Sequence, residues 1–517
     1  MSNTLPKRSK ANTVILTLYL LLVCVPSIYL YGTHDKLVLL GILVPLTIAG
    51  WALSRLLLKL IDRINIRRPH LVTKPSRTIA FFVAAAVSFA ILMVWFIAFF
   101  PGSYEPDNLS QIKQVMTGSY DSWHPVWHTL VYYTLPIKVF GKVWTVVVWQ
   151  MFLFALAIGY MFAVIYEHVG MVWACISFAY IMLNPITGYI LLFAFKDVAF
   201  ATAGLVAVSA FARIFFEGKE AATPLRCIAI GFMLANATLF RYNGVIFTGL
   251  MIIALFIYMS KPKWLLMTAV FVATIALVRG PVYKAVDAQI SKTEVVQTVG
   301  FPMAVIGNAV KESPELLDEE TLEFAYAYSP AEVWEERYNR GNFNLMKYGG
   351  ALNPGVIEEK GVGPIVKMGL KCFVVSPETS IDATFALTDF VYGLDLQDKA
   401  DIDITHNQID ENDYGLEPAG KPALAGLLEK YHSLVRLKGY NFFRKLGFAL
   451  LMLVIAVLTR LGWSSFSEWK RIIPCIPVIA YAFGTMLLLS GHDARFFYIV
   501  FTVSPLVFIM ARYDGKI

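Results

Sequence analysis

The sequence is poor in charged residues and in cysteine. Of its 517 residues, 16% are charged and 57% are hydrophobic. A soluble globular domain carries about 25% charged residues, so the composition is that of an integral membrane protein. The five cysteines stand singly, and only Cys372 lies outside an apolar segment. That spacing excludes a disulfide framework and a cysteine-based metal site.

Two further features are missing from the sequence. There is no GxxxxGK(S/T) loop, which argues against transport driven by nucleotide hydrolysis. There is also no internal repeat of the kind from which many transporters are built. Nucleic acid is not an expected partner of this chain, whereas a lipid bilayer is.

Long apolar runs without charges are abundant instead. The clearest are Thr78–Phe100, Val143–Ile165, Met171–Phe195 and Ile472–His492, each longer than the ~17–20 residues that cross a hydrocarbon core. Ala11–His34 is too long for a signal peptide and predicts a retained first span, and Leu37–Ser54 predicts the second.

Shorter apolar runs can complete a crossing because flanking Lys and Arg side chains reach the interface. These runs are Val198–Ala212, Cys227–Phe240, Gly244–Ser260, Trp264–Val278, Leu446–Thr459 and Phe496–Ala511. In lipid every backbone amide must be bonded within its own segment, so the runs are predicted to be helices. The sequence therefore predicts an all-α polytopic membrane protein with about twelve spanning helices.

Basic residues fall in alternate connections between these runs, at Lys7–Lys10, Lys59–Arg77, Arg213–Arg226, Lys261–Lys263, Arg460–Arg471 and Arg512–Lys516. Cytoplasmic loops carry an excess of Lys and Arg, so these connections and both termini are predicted to lie on the cytoplasmic side of the plasma membrane. The count requires His124–Phe140 to be a juxtamembrane or re-entrant helix, since its histidines and prolines suit a lipid-facing span poorly.

The stretch Gly280–Tyr440 reverses the sign of the charge. It has 25 acidic and 14 basic residues, a formal charge of −11 in a chain of +7. An acidic insertion between basic loops is predicted to be an extracytoplasmic soluble domain, and roughly 160 residues suffice for a core of its own. Within it, Asp398–Glu417 predicts a mobile loop. The predicted plan is a two-helix extension (1–77), a core module with an outer loop at 101–140 (78–279), the insertion (280–440) and C-terminal helices (441–517).

An acidic pair, Glu105 and Asp107, follows the third predicted span. Pro106 favours an extended conformation at Glu105, and residues two apart in an extended chain point to the same side. Both carboxylates can then converge on one metal ion or one acceptor hydroxyl. The alternative is that Asp107 caps a helix that begins near Asn108.

Two histidines, His124 and His128, occur four residues apart in the same outer loop. On a helix this spacing puts both rings on one face, where they can hold a metal. The alternative is an interfacial hydrogen bond from either ring beside the neighbouring tryptophans. A divalent cation such as Mg²⁺ or Mn²⁺ is one candidate cofactor of this loop.

Three further polar clusters lie at predicted helix ends. Lys196 meets the free N–H groups of the next helix, which makes a natural phosphate site; alternatively Asp197 is an N-cap and Lys196 only reaches the interface. Arg241 lies in a predicted turn, where its side chain either binds a ligand or is simply solvated. Asp493 and Arg495 precede the last span, where they can pair with each other or with a ligand.

Successive spanning helices cross the membrane in alternate directions, and with the predicted spans this alternation puts all these clusters on the same outer side. Ionisable groups at membrane depth are expensive without a role. Cations there suit a lipid phosphate, and a carboxylate suits an acceptor hydroxyl that must lose its proton.

Residues Thr78 to Ala212 resemble the GT-C superfamily of integral membrane glycosyltransferases, which includes protein O-mannosyltransferases and bacterial lipid-linked sugar transferases. The resemblance is carried by Glu105-x-Asp107, by the segment HPVWHTLVYYTLPIKVFG, by the NP pair near the end of a later long helix, and by Lys196-Asp197 in the second outer loop. It implies a GT-C-like helical bundle that takes a sugar from a polyprenyl-phosphate carrier on the outer face. Two extra N-terminal helices and the position of the insertion depart from the family pattern, so donor sugar and acceptor do not carry over.

The leading hypothesis is transfer of a sugar from a polyprenyl-phosphate donor to a cell-envelope glycan, lipid or protein. Asp107 is then the base, or orients the acceptor together with Glu105. The other roles are phosphate binding for Lys196, Arg241 and Arg495, and lining of the donor or acceptor loop for His124, Asp197 and Asp493.

Two other hypotheses remain open. A polysaccharide polymerase or ligase that uses diphosphate-linked donors needs several outer arginines, and the insertion has only Arg337, Arg340 and Arg436. A flippase or transporter of lipid-linked sugars typically has charges at mid-membrane, whereas the charges here lie at helix ends.

Overall fold

The computed structural model of the chain describes residues 10–32, 35–64, 66–67, 74–289, 296, 298–347, 352–394, 407–435, 441–461 and 466–515. In this part of the chain the regular structure is helical, and β-pairing is limited to isolated bridges. The sequence prediction of an all-α polytopic membrane protein is confirmed at this level.

The helices before the insertion are α1 (Lys10–Tyr31), α2 (Lys36–Asp62), α3 (Lys74–Ala98), α4 (Pro106–Thr117), α5 (Val126–His128), α6 (Leu135–Phe140), α7 (Thr145–Val169), α8 (Met171–Met182), α9 (Pro185–Leu192), α10 (Lys196–Glu217), α11 (Pro224–Phe240), α12 (Val245–Leu255), α13 (Lys261–Leu277) and α14 (Tyr283–Ala285). Two π-helical turns, Thr129–Thr134 and Val278–Val282, join α5 to α6 and α13 to α14.

The helices of the insertion and the C-terminal region are α15 (Gly300–Glu312), α16 (Glu319–Tyr328), α17 (Ala331–Arg337), α18 (Pro354–Lys360), α19 (Val362–Val375), α20 (Pro377–Tyr392), α21 (Pro422–Val435), α22 (Leu446–Arg460), α23 (Phe466–Ile472), α24 (Cys475–Met486) and α25 (Tyr498–Arg512).

Seven helices in the described residues are long and apolar enough to cross a membrane: α1, α2, α3, α7, α10, α13 with its continuation to Ala285, and α25 with the turn that precedes it. The pair α8 and α9 qualifies as one span that bends by 54°, and four shorter apolar helices are α11, α12, α22 and α24. The twelve predicted apolar runs fall on these helices. How many of them cross the bilayer stays a prediction, as does a GT-C arrangement.

The long helices pack closely where one of them has a small residue. Gly159 of α7 lies against α3, where an added Cβ would come 2.8 Å from the Ala85 Cβ. Small residues let helix backbones approach in a membrane, where helix association depends on packing rather than on the hydrophobic effect. This contact holds α3 in place, and α3 leads directly into the acidic loop.

The basic connections meet at one end of the bundle. Arg77 and Arg213 both pair with Glu167, at 3.0 and 3.1 Å, and Arg512 donates to the Ile64 carbonyl at 3.0 Å. Helix α10 has 22 residues, so its two ends lie ~33 Å apart. The Lys196 end of α10 is therefore opposite to the basic end.

The insertion packs on the Lys196 end of the bundle and shares one hydrophobic core with the membrane helices. Phe385 of α20 meets Tyr29 of α1 with ring centroids 5.9 Å apart. Part of the predicted mobile loop, 398–406, lies outside the described residues. The part that follows is hydrogen-bonded to the bundle, because the Tyr104 N–H donates to the Gln408 carbonyl at 2.7 Å and the Asp410 N–H donates to the Tyr104 carbonyl at 2.9 Å.

Which end faces the cytoplasm is tested by cysteine labelling. Glu332 of α17 and Glu220, in the turn after α10, are exposed residues at opposite ends of the chain's fold. We expect Glu332→Cys to react with an impermeant thiol reagent in intact cells, after outer-membrane permeabilisation where cells have one, and Glu220→Cys to react only in lysed cells. Labelling in the reverse pattern would invert the predicted orientation.

Candidate functional site

The acidic loop begins where α3 ends. The Ser103 N–H donates to the Leu192 carbonyl at 3.0 Å, which fixes the loop beside α9. Helix α4 then starts at Pro106, so Glu105 is its N-cap residue and Asp107 lies in its first turn. The Glu105 N–H donates to the Asn108 side chain at 3.1 Å. The alternative in which Asp107 caps the helix is therefore wrong.

Both carboxylates of the acidic loop converge on Arg495. Its guanidinium donates to Glu105 Oε1 at 2.6 Å and to Asp107 Oδ2 at 3.1 Å. Convergence was predicted from an extended chain, but only Glu105 is extended and Asp107 is already helical. The turn from loop to helix, and not strand alternation, brings the two side chains to one partner.

Arg495 has two further acidic neighbours. Its Nε lies 3.9 Å from an oxygen of Asp197 and 3.9 Å from an oxygen of Asp493. The Cζ atom stands 4.5 Å above the centre of the Phe195 ring, a cation–π geometry. One cation thus links three loops that are far apart in the sequence.

Asp197 is almost completely buried, with 1% of its side chain exposed, and forms an ion pair with Arg241. Helix α10 starts at Lys196 with Phe195 as its N-cap residue, so Asp197 is not an N-cap. The Arg241 guanidinium stacks 4.0 Å above the Phe496 ring. Arg241 is therefore held by Asp197 and an aromatic ring and is not a solvated turn residue.

Lys196 differs from the two arginines in its partners. Its Nζ lies 3.4 Å from His124 Nδ1, and the other ring nitrogen of His124 lies 4.0 Å from Asp107. Among the described residues no carboxylate oxygen lies within 4.0 Å of the Lys196 ammonium. Because its side chain is partly exposed, Lys196 is the cation of the cluster that is most open to an added anion.

The two histidines do not form a metal pair. Helix α5 begins at Val126, so His124 precedes it and the two rings do not share a helix face. His124 lies between Lys196 and Asp107, whereas His128 Nδ1 contacts Gln111 Oε1 at 2.7 Å. Each histidine ring has its own hydrogen-bonding partners, which agrees with the alternative interpretation as separate hydrogen-bonding side chains.

The carboxylates of the acidic loop are poorly arranged as ligands for Mg²⁺ or Mn²⁺. These ions prefer several carboxylate oxygens around one point. Here the guanidinium of Arg495 occupies the space between Glu105 and Asp107. In the described residues the grouping with metal-ligand spacing is Glu167, His168 and Glu217, at the basic end, where arginines already pair with both glutamates. The arrangement of the acidic loop therefore does not fit a metal ion.

Glu105 and Asp107 have opposite pKa shifts. Burial raises the pKa of the Glu105 carboxyl, and Arg495 offsets this only in part. Burial also disfavours the ionised form of Asp107, but Arg495 and Lys196 together hold the pKa of Asp107 well below its usual range. Burial and Lys196 lower the pKa of His124 to about 3. At pH 7 Asp107 is therefore ionised and His124 is neutral.

The pKa of His124 predicts a pH dependence of stability. The unfolded chain binds a proton on this histidine below about pH 6.5, but the folded chain does so only near pH 3. Stability is therefore lost as the pH falls through this window, and by pH 5 the loss from His124 is about 2 kcal/mol. We expect His124→Gln to unfold at a temperature that changes less between pH 7 and pH 5 than that of wild type. Equal changes in the two proteins would contradict the prediction.

Several residues of the cluster were not found from the sequence. Asn108 donates to the Tyr133 hydroxyl at 2.9 Å, and this hydroxyl donates to the Ala194 carbonyl at 2.8 Å, so α4 is tied to the start of α10. Asn344 of the insertion donates to Asp493 at 3.2 Å. The HPVWH segment can be recognised in the sequence as a motif. Asn344 belongs to no motif, and it lies 149 residues from its partner Asp493, so nothing in the sequence indicates the pair.

The structure brings together all the site residues predicted from the sequence, namely Glu105, Asp107, His124, Lys196, Asp197, Arg241, Asp493 and Arg495. Their roles stay predictions. Comparison of the chain with protein-family models, with curated proteins and with solved structures returns no match.

Proposed function

We propose that the chain is a membrane glycosyltransferase that moves a sugar from a polyprenyl-phosphate donor to a cell-envelope acceptor on the outer face of the cytoplasmic membrane. The observation that carries the proposal is the convergence of carboxylates and cations from four separate loops at one end of the bundle. Structural ion pairs rarely need so many contributors in an apolar protein, because each buried charge is costly to desolvate.

The position of the cluster at the ends of apolar helices supports a lipid-linked substrate. Arg241 directly follows α11, and Arg495 lies in the turn that precedes α25. Both cations would therefore stand near the outer boundary of the hydrocarbon core, where the phosphate of a polyprenyl carrier also lies.

The charges of the cluster support binding of a phosphate that would replace carboxylates as the partner of the cations. Four carboxylates (Glu105, Asp107, Asp197 and Asp493) surround three cations (Lys196, Arg241 and Arg495). A phosphate would contact Lys196 and the N–H groups at the start of α10, since helix N-termini favour anions. It would then draw Arg495 away from Glu105 and Asp107.

The release of Asp107 from Arg495 would make it a better base. Its pKa rises when the cation leaves, and a carboxylate of higher pKa accepts a proton more readily. The acceptor hydroxyl attacks the anomeric carbon and gives its proton to Asp107, while the bond between that carbon and the phosphate oxygen breaks. Lys196 and Arg495 stabilise the negative charge that develops on the departing polyprenyl phosphate.

The polymerase or ligase reading has less support. Arg340 of the insertion pairs with Asp382 at 3.1 Å and Arg337 donates to the Leu345 carbonyl at 3.3 Å, while Arg436 lies outside the described residues. The flippase reading shares the phosphate site but has no use for Asp107 as a base. Loss of transfer with retained donor binding would separate the two.

The phosphate site is tested by binding of polyprenyl phosphate to the protein in nanodiscs. We expect Lys196→Met to weaken binding by about 10- to 100-fold, because a lost charge-assisted hydrogen bond costs about 1.5–3 kcal/mol. Lys138→Met is the control, since Lys138 is an exposed lysine of α6 outside the cluster. Wild-type affinity in Lys196→Met would remove the main support for a lipid-phosphate donor.

A further inference from the structure

Helix α21 belongs to the acidic insertion by sequence, yet it packs on membrane helices. It contacts α3 and α9, and the residue before it, Lys421, donates its N–H to the Ala98 carbonyl at the end of α3 at 3.1 Å. Further along, the Tyr431 hydroxyl donates to the Leu183 carbonyl, at the bend between α8 and α9. The helix therefore lies between the end of α3 and the bend of the α8–α9 pair.

The side chains of α21 divide into three faces. At 100° per residue, one face carries Leu424, Leu428 and His432, which are buried or half-buried against the bundle. The opposite face carries the exposed polar residues Glu429, Lys430 and Ser433.

The third face is apolar and is left largely uncovered by the described residues. Leu427 and Leu434 are 61% and 63% exposed, and they lie seven residues apart on one side of the helix. The surface beside them is also apolar, since Ile97 of α3 and Leu183 are 46% and 53% exposed. On a membrane-spanning bundle, exposed apolar side chains of this kind face lipid.

We infer that α21 is an interfacial helix, with Leu427 and Leu434 among the acyl chains of the outer leaflet and with Glu429, Lys430 and Ser433 in water. The occupant of the apolar face is the bilayer because this face continues the lipid-facing surface of α3 and of the bent span. An apolar side and a charged side on one helix are the pattern that binds at the boundary of headgroups and acyl chains.

A second helix of the insertion has the same division. In α19 the exposed residues Val366, Leu370 and Val374 follow one another at intervals of four, opposite the buried Met368 and Cys372. Their exposure rises from 40% to 63% to 81% toward the end that joins α20, and α20 packs on the membrane helix α1. The inference extends to this face as a second contact of the insertion with the outer leaflet.

The inference is tested in the full-length protein in nanodiscs. A nitroxide amino acid is introduced at position 427 or 434 by stop-codon suppression, which leaves the native cysteines in place, and collision rates with oxygen and with a water-soluble nickel complex are measured. We expect the oxygen-to-nickel ratio at 427 and 434 to be several-fold higher than at 429 and 433, which are matched controls on the same helix. Position 374 should give a high ratio and the exposed position 332 a low one.

The outcomes separate lipid from other occupants. Nickel accessibility at 427 and 434 equal to that at 429 and 433 would show that the face lies in water and overturn the inference. Broadening of the nitroxide spectrum that disappears on dilution with unlabelled protein would show that a second copy covers the face and would also overturn it. Neither measurement depends on the proposed transfer activity.

Discussion

Asp107→Asn is expected to lower the rate of sugar transfer by at least two orders of magnitude, because a positioned carboxylate base contributes about 10²–10⁴-fold to such a step. The fold should persist, since the cluster has four carboxylates around three cations and the loss of one negative charge leaves it balanced. Donor affinity should be unchanged or higher, because one competitor for Arg495 is removed. Transfer, binding and thermal unfolding are measured on the same preparation.

Asp121→Asn is a matched control for this variant. Asp121 is an outer-loop carboxylate whose Oδ1 accepts the Trp123 N–H at 2.9 Å, outside the Arg495 network. It should transfer sugar at a near-normal rate, and Glu105→Gln should lose less activity than Asp107→Asn. Normal transfer by Asp107→Asn would remove the proposed base and favour the flippase reading.

Arg495→Met is expected to be less stable than wild type by about 3–5 kcal/mol at pH 7, since removal of one partner leaves charges unpaired in a buried network. The dependence of stability on pH should also become weaker. In wild type the lowered pKa of Asp107 stabilises the fold at neutral pH, and this stability is lost as the pH falls through the folded pKa. Without Arg495 the pKa values of Glu105 and Asp107 both rise, because burial is then opposed at Asp107 only by Lys196 and His124. The variant should therefore gain less stability than wild type when the pH rises from 5 to 8.

A second substitution distinguishes structure from catalysis at Arg495. Arg495→Met combined with Asp107→Asn removes one charge of each sign, and it should recover part of the lost stability at pH 7. It should not recover donor binding or transfer. If thermal unfolding of Arg495→Met were the same as that of wild type from pH 5 to pH 8, the ion pairs at 2.6 and 3.1 Å would have no energetic role.

The helical membrane architecture and the membership of the site could be predicted from the sequence. Uncharged runs such as Thr78–Phe100 are expected to be helices in lipid, because only a helix satisfies the backbone hydrogen bonds within one segment. Charges at span ends, as at Lys196 and Arg495, are costly enough to mark a site. The alternating direction of the spans then predicts that these residues lie on the same side of the membrane, and this prediction needs no knowledge of their contacts.

The pairings within the site could not be predicted. Sequence patterns suggested that Arg495 pairs with Asp493 or with a phosphate, whereas its closest partners are Glu105 and Asp107. The helix start at Pro106 also differs from the expected one by two residues. Such details depend on tertiary packing, which places an arginine against residues 390 positions earlier in the chain.

The attachment of the insertion on both sides of the ion cluster limits how the chain can be divided. Residues 408 and 410 pair with Tyr104, next to Glu105, and Asn344 donates to Asp493, next to Arg495. A truncated protein made of the membrane helices alone would lack the supports of both loops. If this region were exchanged between related chains, four segments would have to be exchanged together, namely residues 97–107, 343–347, 407–421 and 490–495. Natural recombination with a breakpoint inside the insertion should therefore be selected against.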